Sequence, residues 1–449
     1  MNRATLDRYD KDICGTAWTS PHARRLLDTI CYEFGPRHMA SKGLRAAQKF
    51  VASELRKLGA TNVHDEKVDA LAWRPGISHV EIASKPPRVL DSIQCVHSAA
   101  GKVTAPLVDA GLMTKDDLDR LGEKVRGAIM LYQGHSGYQP KLETPWCRVP
   151  EAQRRGAVGA INRSFYPGSG PEIQQVAVDR KVPMPVASVG SEHGSELMTM
   201  LKNGKVRARI ETTGKTYRAQ CRNVVADFGP ARKTAEMIVL TAHLDCHHNS
   251  TGALDNLSGV VTILEILRAL APMRTKLKRM ARIAIFTGEE YGFVGSRAYI
   301  KRHADELDRV KLDFNCDCIF PETSRGLAVM WSPVMRDVMD KMIQQTQCDV
   351  DIQNHYCQSS DYVPFMLAGV PAARPADFWD NFPANRMHSR FDTPDRIPTE
   401  WIRMNVMPFA QLLLRLLTAP KLPAVRNSPG KVHQLCTEEG VADSLRIFE

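Results

Sequence analysis

The sequence lacks the features that mark membrane and secreted proteins. No apolar run in its 449 residues approaches the length needed to cross a bilayer, and the start MNRATLDRYDKDICG is charged where a signal peptide would be apolar. The 11 cysteines are odd in number and include no CxxC pair, a usage typical of reduced thiols rather than of a disulfide framework. These absences predict a soluble, cytoplasmic chain with no membrane partner.

Signatures of nucleic-acid binding are also missing. The formal net charge is +10, and a basic cluster, MRTKLKRMAR, occupies residues 273–282. No zinc-finger, RRM or helix-turn-helix pattern accompanies it, so ordinary surface charge is the better explanation and we predict no nucleic-acid partner. The remaining composition, with 43% hydrophobic and 24% charged residues, is that of a globular protein long enough for two or three domains.

Short apolar runs in the second half of the chain are the clearest pattern present. They are MIVLTA (237–242), RIAIFT (282–287), VKLDFNCD (310–317) and GLAVMWS (326–332). Helical stretches separate most of them, and the strongest, NLSGVVTILEILRALA, has one apolar stripe. This alternation predicts an α/β fold with a mostly parallel, doubly wound sheet covered by helices on both faces.

The rest of the chain divides around this sheet. Its beginning contains two predicted helices and the extended strand TNVHDEKVDALAW, whereas residues 83–212 alternate strands and helices without a dense cluster of catalytic residue types. We predict one discontinuous domain formed by residues 1–82 and 213–420, and a smaller α/β domain inserted at 83–212. A loosely ordered C-terminal tail should follow at 421–449.

Acidic and histidine side chains follow the predicted strands, where open α/β sheets bind their ligands. Five of them form a mixed imidazole and carboxylate set: His243, Asp255, Glu290, Asp317 and His388. This set suits Zn²⁺, with Co²⁺ or Mn²⁺ as substitutes, and needs no thiolate. Two histidines and three carboxylates suffice for two metals if one carboxylate bridges, and Asp255 is our choice for the bridge. Taken alone, Asp255 is also a reasonable helix N-cap.

The motifs HLD, GALDN, FTGEEYGFVGS, NCD and MHSRFDT occur in this order. They closely resemble those of the co-catalytic zinc exopeptidases, the family of bacterial secreted aminopeptidases, carboxypeptidase Q and glutamate carboxypeptidase. The resemblance extends over nearly the whole chain, and the inserted segment resembles that family's protease-associated domain. It implies the zinc-exopeptidase fold, with the discontinuous domain as the catalytic one.

The resemblance also implies roles for the five candidate ligands. His243 and Asp317 would bind one metal, Glu290 and His388 would bind the other, and Asp255 would bridge them. The implied cofactor is therefore two Zn²⁺ per chain. Two metals at the usual separation share a water, lower its pKa and stabilise the oxyanion of the attacked peptide carbonyl.

Two further acids complete the implied catalytic set. Asp245 would accept a hydrogen bond from the ring of His243 and fix its orientation. Glu289 would stay off the metals, take a proton from the water and deliver it to the leaving amine.

Several nearby residues receive plainer predictions. His247 and His248 match no metal position of the family and should face solvent or line the substrate cleft. The two cysteines at positions 316 and 318 should be core residues, because they point to the opposite face of the strand from the aspartate between them. Asp361 and Asp392 should hold loops through side-chain-to-backbone hydrogen bonds.

The chain departs from its relatives at Met387, where several of them carry a Tyr or His that helps to hold the oxyanion. Methionine cannot donate that hydrogen bond. The metals could suffice, His355 or Arg386 could substitute as the donor, or activity on ordinary peptides could be low. The Asp255–Asn256 pair is more like the aminopeptidases, whereas the inserted segment is more like carboxypeptidase Q.

These observations predict a zinc-dependent exopeptidase acting on small peptides, an aminopeptidase or dipeptidase, with the inserted domain along one side of the cleft. A carboxypeptidase Q-like enzyme, another amide hydrolase and a single-zinc glutaminyl cyclase-like enzyme are the enzymatic alternatives. A non-catalytic binding homologue is the alternative from another class. The relatives with this insertion also suggest a possible homodimer.

Overall fold

The computed structural model describes residues 2–134, 144–230, 236–319, 326–346, 348–354, 359–375, 387–423 and 425–445, together with residues 356 and 448. Its helices are α1 Arg3–Thr19, α2 His22–Asp28, α3 Lys42–Lys57, α4 Lys115–Leu121, α5 Pro145–Arg154, α6 Ser191–Asn203, α7 Ser258–Leu270, α8 Val294–Arg302, α9 Pro333–Ile343, α10 Tyr362–Leu367, α11 Thr399–Thr418, α12 Pro429–Glu438 and α13 Ala442–Leu445. None of these described helices has both the length and the apolar character needed to span a bilayer.

The strands belong to two large sheets. In chain order they are β1 Thr61–Arg74, β2 Ser78–Ile82, β3 Arg88–Leu90, β4 Ser92–Gln94, β5 Gly101–Asp109, β6 Ile129–Tyr132, β7 Gly159–Arg163, β8 Val186–Val189, β9 Arg207–Thr212, β10 Lys215–Phe228, β11 Met237–His243, β12 Met280–Phe286, β13 Val310–Asn315, β14 Gly326–Met330, β15 Asp351–Asn354 and β16 Ala372–Pro375.

The first sheet has the strand order β1-β10-β12-β11-β13-β16-β14-β15. At its centre, β11 pairs in parallel with β12 and β13, and β13 pairs in parallel with β16. The pairs β1/β10, β10/β12 and β14/β16 are antiparallel. The predicted mostly parallel sheet is confirmed at this centre, where the strands that lead to the candidate ligands lie side by side.

Helices cover both faces of this sheet because successive residues of its strands point to opposite faces. Ile238 and Leu240 of β11 pack into the core cluster that includes α7 and α11. Val239, between them, packs on the other face in a cluster with Tyr299 of α8 and Phe365 of α10. Every residue of β11 is buried, as the predicted doubly wound arrangement requires.

The second sheet has the order β3-β2-β9-β5-β6-β7-β8-β4 and is formed within residues 78–212. It has its own core, since its two buried clusters draw their members from residues 80–210. The chain leaves the first sheet at Arg74 and returns at Lys215, two residues that pair across the β1/β10 ladder. The five residues Ser78–Ile82 belong to this second sheet, although the predicted boundary lies at residue 83.

Both ends of the chain differ from the prediction. Helix α1 was not predicted, because only Ile13 and Ala17 of its 17 residues are buried and its apolar pattern is weak. The segment after Pro420, predicted as a loosely ordered tail, contains α12, whose side chains Val432 and Cys436 are buried in a cluster with Trp331. The short length of α12 and its few apolar positions hid this packing from sequence reasoning.

Candidate metal centre

The parallel register brings the ends of β11, β12 and β13 together. His243 is the last residue of β11 and lies opposite Phe286, the last residue of β12. After β12 the chain turns at Gly288, which has a φ of +73° and whose added Cβ would lie 2.7 Å from the sulfur of Met39. Glycine adopts this left-handed turn without strain. The turn places Glu289 3.9 Å from His243, and Glu290 3.0 Å from His247.

One group of candidate ligands consists of His243, Asp255 and Asp317. Nε2 of His243 lies 3.1 Å from Oδ1 of Asp255 and 3.4 Å from Oδ1 of Asp317, and all three residues are buried. Within the described residues, Nε2 of His243 and Oδ1 of Asp317 are buried without a hydrogen-bond partner. Buried polar atoms that converge without hydrogen bonding fit a metal ion, and the imidazole and carboxylate donors suit zinc.

A second group consists of His247, Glu290 and His388. Nε2 of His388 lies 3.1 Å from Oε2 of Glu290 and 3.3 Å from Oδ2 of Asp255. Nε2 of His247 lies 3.0 Å from the same Glu290 oxygen. All five predicted ligands are therefore brought together, and Asp255 directs one oxygen towards each group.

His247 was predicted to face solvent or to line the substrate cleft, and the first of these positions is wrong. Its residue is only 2% exposed and lies among the candidate ligands. Its position four residues after His243, in the loop leaving the same strand, was the signal that could have identified it. His248 is half-buried, and its ring contacts that of His38 at a centroid distance of 6.4 Å.

Asp255 is held by the loop that carries His388 rather than by a helix cap. Its backbone, with φ −112° and ψ 95°, is not helical, and the residue that begins α7 as its N-cap is Leu257. The carboxylate of Asp392 accepts hydrogen bonds from the backbone N–H groups of Leu254 at 2.7 Å and Asp255 at 3.1 Å. The predicted loop-holding role of Asp392 is confirmed, and the segment it holds contains the shared aspartate.

The hydrogen bond of Asp361 differs from the predicted contact with a backbone group. It is fully buried, and one carboxylate oxygen accepts a hydrogen bond of 2.5 Å from the hydroxyl of Ser296 in α8. The partner is a side chain rather than the predicted backbone group. Cys316 and Cys318 are buried, as predicted for core residues.

The prediction that the carboxylate of Asp245 accepts a hydrogen bond from the ring of His243 is wrong. Nδ1 of His243 lies 3.0 Å from the backbone carbonyl of Asp245, whereas the nearer carboxylate oxygen is 3.8 Å away. That oxygen accepts a hydrogen bond of 3.3 Å from the backbone N–H of Glu289. The main chain of Asp245 thus orients the imidazole, and its carboxylate instead fixes the turn that carries Glu289.

Glu289 lies beside the first group without belonging to either. Its Oε2 atom is 3.9 Å from Nε2 of His243. Burial, together with the charges of Asp317 and Glu290, raises the pKa of the Glu289 carboxyl well above its usual value against the opposing effect of His243. A carboxyl with a raised pKa that stays off the ligand groups is suited to accept and return a proton.

The electrostatics of the centre favour cations. Burial lowers the pKa of His243, but the charges of Asp317 and Glu289 raise it well above its usual value. Burial likewise lowers the pKa of His388, and Glu290 with Asp255 raises it. The same concentration of carboxylates that protonates an imidazole favours divalent cations.

Residues of the inserted segment that contains the second sheet contact loops of the candidate metal centre. The backbone N–H of Ile173 donates a 2.9 Å hydrogen bond to the carbonyl of His388. Asp179 pairs with Arg297 at 2.7 Å and 3.0 Å, and the ring of His97 packs against Tyr291 at a centroid distance of 5.7 Å. Residues of the inserted segment therefore contact the loops that carry Glu290 and His388.

Met387 contacts the thiol of Cys318 at 3.3 Å between their sulfur atoms. It supplies no oxyanion donor, as its chemistry predicts. The two substitutes considered from the sequence, His355 and Arg386, lie outside the described residues.

A parallel sheet that carries convergent imidazoles and carboxylates beyond its strand ends, with one shared aspartate and one unattached glutamate, defines a metallohydrolase. The comparisons with known proteins narrow this class.

The model of peptidase family M28 matches residues 223–412. The chain is 26% identical to carboxypeptidase Q of Mus musculus over 365 residues, which are 78% of this chain and 75% of the relative. It is 24% identical to "Probable lipoprotein aminopeptidase LpqL" of Mycobacterium tuberculosis over 435 residues, 86% of this chain and 81% of the relative. The crystal structure of a peptidase M28 precursor from Shewanella amazonensis aligns with a TM-score of 0.83 at 20% identity, covering 95% of this chain and 100% of that chain.

Residues 223–412 thus match peptidase family M28, and the chain is a zinc-dependent metallopeptidase that resembles the co-catalytic zinc exopeptidases. The resemblance drawn from the motifs is thereby confirmed, as are the fold class and the general activity.

Proposed function

We propose that this chain is a two-zinc aminopeptidase or dipeptidase that hydrolyses small peptides. The observation that supports it best is the position of Asp255, whose Oδ1 lies 3.1 Å from His243 and whose Oδ2 lies 3.3 Å from His388. A carboxylate that offers one oxygen to each of two ligand groups is suited to bridge two ions.

The protein's own groups divide the work around these ions. His243 and Asp317 would hold one ion, Glu290 and His388 the other. When bound, a pair of zinc ions supplies Lewis-acid polarisation of the scissile carbonyl and makes water nucleophilic near neutral pH. Glu289, outside both groups, would take the proton of that water and deliver it to the leaving amine.

Four acids carry the negative charge of the metal-free centre. Within the described residues, the ion pairs of the four acids that line the centre are all with histidine rather than with Lys or Arg; these acids are Asp255, Glu289, Glu290 and Asp317. Two bound Zn²⁺ ions would balance these four negative charges, so the charge of the loaded centre does not distinguish an ammonium group from a carboxylate. The 24% identity to the mycobacterial aminopeptidase supports the aminopeptidase proposal.

A carboxypeptidase Q-like activity is the second candidate. The 26% identity to mouse carboxypeptidase Q supports it, and so does the inserted sheet, which we propose to be a protease-associated-like domain forming one side of the cleft. The aminopeptidase proposal expects cleavage of aminoacyl amides and no cleavage of N-acetyl dipeptides. The opposite selectivity would favour the carboxypeptidase.

The substrate experiment should include two glutamate variants. Glu289→Gln keeps the size of the side chain and removes its basicity, so kcat should fall by about 10²–10⁴-fold while the metal content stays the same. Glu400→Gln, at a side chain that is 53% exposed and distant in sequence, serves as the control and should keep full activity. A Glu289→Gln enzyme within about threefold of wild type would contradict the assigned role.

The other enzymatic and non-catalytic alternatives predict different results. A single-zinc cyclase-like enzyme would contain one metal per chain and form cyclic products, and a binding homologue would be inert after zinc loading. We also propose a cytoplasmic location, because none of the ten cysteines that the structure describes forms a disulfide. Light scattering in solution would test the possible homodimer.

A further inference from the structure

We propose that His247 is a direct ligand of the ion held by Glu290 and His388, an inference that rests on the proposed two-zinc function. The family motifs assign no role to this position. The geometry that supports it is the convergence of two imidazoles on one carboxylate oxygen. Nε2 of His247 lies 3.0 Å, and Nε2 of His388 3.1 Å, from Oε2 of Glu290.

The separations of these atoms match a zinc coordination sphere. Ligand atoms at the usual zinc distances lie about 3.3 Å apart around a tetrahedral ion. The measured separations are 3.0 Å and 3.1 Å to Glu290, and 3.3 Å between His388 and Asp255. The three donor atoms of His247, Glu290 and His388 all lie within 4.8 Å of one another.

His247 is buried beside Glu290 and His388. The residue is 2% exposed, and its Nδ1 atom has no hydrogen-bond partner within the described residues. Its ring is perpendicular to that of His388, with centroids 4.6 Å apart, so both Nε2 atoms can be directed at one point. Metal-bound histidines usually hydrogen-bond through their second ring nitrogen, so the convergence of the two Nε2 atoms on Glu290, and not the unpaired Nδ1, supports ligation by His247.

The loop that carries His247 is rigidly held. The buried guanidinium of Arg37 donates to the backbone carbonyls of Leu244 at 2.9 Å, Thr251 at 2.6 Å and Gly252 at 2.9 Å. The backbone N–H of Arg37 also donates to the sulfur of Cys246 at 3.2 Å. These bonds fix both sides of His247, so its ring is positioned before any ion binds.

This ligand makes the two ions unequal. With Asp255 shared, one ion would have four protein ligands and the other, at His243 and Asp317, only three. Zinc with four protein ligands is closed, whereas zinc with three keeps an open position for water or substrate. Glu289, which belongs to neither group, lies 3.9 Å from His243 of the three-ligand set.

The first test measures zinc affinity on the full chain, loaded with Zn²⁺ alone in competition with a chromophoric chelator. His247→Ala should lower the affinity for one of the two zinc ions by more than about 100-fold and leave the affinity for the other within threefold. The 100-fold threshold is chosen because loss of a group that only hydrogen-bonds to a ligand typically lowers the affinity by 10–100-fold. His248→Ala removes the adjacent histidine, which contacts His38 instead, and should leave both affinities unchanged. Thermal unfolding of the metal-free variants checks that each is folded, and His247→Gln replaces the alanine variant if it is not.

The second test asks whether position 247 touches the metal. His247→Cys loaded with Co²⁺ should gain a thiolate-to-cobalt charge-transfer band in the near ultraviolet, absent from wild type and from His248→Cys. The band together with the weakened affinity would establish ligation. A change of less than threefold in the zinc affinity of His247→Ala would overturn the proposal that His247 is a ligand. A moderate loss of affinity without the charge-transfer band in His247→Cys would also overturn it. If wild type binds a single zinc, the two-zinc function fails, and His247 is judged by the same two readouts on that ion.

Discussion

His97, at the contact between the two sheets, allows a quantitative prediction of pH-dependent stability. Its ring is 1% exposed and packs between Trp73 and Tyr291, the latter in the turn that carries Glu289 and Glu290. Burial lowers the pKa of His97 from its usual 6.5 to about 4. The folded chain therefore keeps this imidazole neutral at a pH where the unfolded chain protonates it.

The sign and size of the effect follow from linkage. A histidine whose pKa is lower in the folded state contributes stability that is complete above the unfolded pKa of 6.5 and is lost as the pH falls through the folded value of about 4. With 1.36 kcal/mol for each pH unit, the loss is about 2 kcal/mol at pH 5 and about 3 kcal/mol at pH 4.

Urea unfolding of the metal-free chain between pH 7 and pH 4 measures this loss. His97→Gln cannot be protonated in this range, so wild type should lose about 3 kcal/mol more than the variant over that interval. Taking the difference between the two chains cancels the titration of the other groups. His433→Gln, at an exposed position, is the control and should parallel wild type. Wild type and His97→Gln running parallel to within about 0.5 kcal/mol would refute the reasoning.

Three further predictions concern the supports of the fold and the centre. Hydrogen bonds from His303 and a neighbouring arginine hold the pKa of Glu66 at about 2 despite its burial, so Glu66→Gln should cost about 2–3 kcal/mol at pH 6 in urea unfolding, after allowance for solvent screening. That stability is present above pH 4.5 and is lost as the pH falls towards 2, so wild type and the variant should converge in acid. Gly288→Ala adds a Cβ 2.7 Å from the sulfur of Met39 at a positive φ, and kcat should fall at least tenfold; unchanged kinetics would contradict this placement. Arg37→Met leaves buried carbonyls unpaired and should cost about 3 kcal/mol or more and weaken zinc binding, whereas an unaltered denaturation midpoint would show that the loop does not depend on this side chain.

The central sheet and the convergence of the five candidate ligands could be predicted from the sequence because each depends on local patterns. The buried strands β11, β12 and β13 are continuous apolar runs, and the ligands follow their ends, where parallel strands meet. The order of the motifs added the assignment of Asp255 as the shared residue. Short-range patterns and the order of the motifs were therefore enough to predict the central sheet and the position of the candidate metal centre.

The errors arose where long-range packing decides the outcome. The role of Asp245 depends on which of its oxygens reaches His243, and the register of the loop places the main-chain carbonyl there. His247 is buried because Arg37, more than two hundred residues earlier in the chain, holds its loop. Helix α12 is ordered by apolar contacts with distant residues such as Trp331. No local pattern shows which oxygen of Asp245 reaches His243 or which distant residues pack against α12.

Metal content per chain, measured by elemental analysis of purified wild type and Asp255→Ala, tests the central claim most directly. The shared position of Asp255 predicts two equivalents of zinc in wild type and one or fewer in the variant, with Asp351→Ala as a control that keeps both. A wild-type chain that holds fewer than two ions after zinc loading, or an Asp255→Ala variant that retains both, would contradict the two-zinc site.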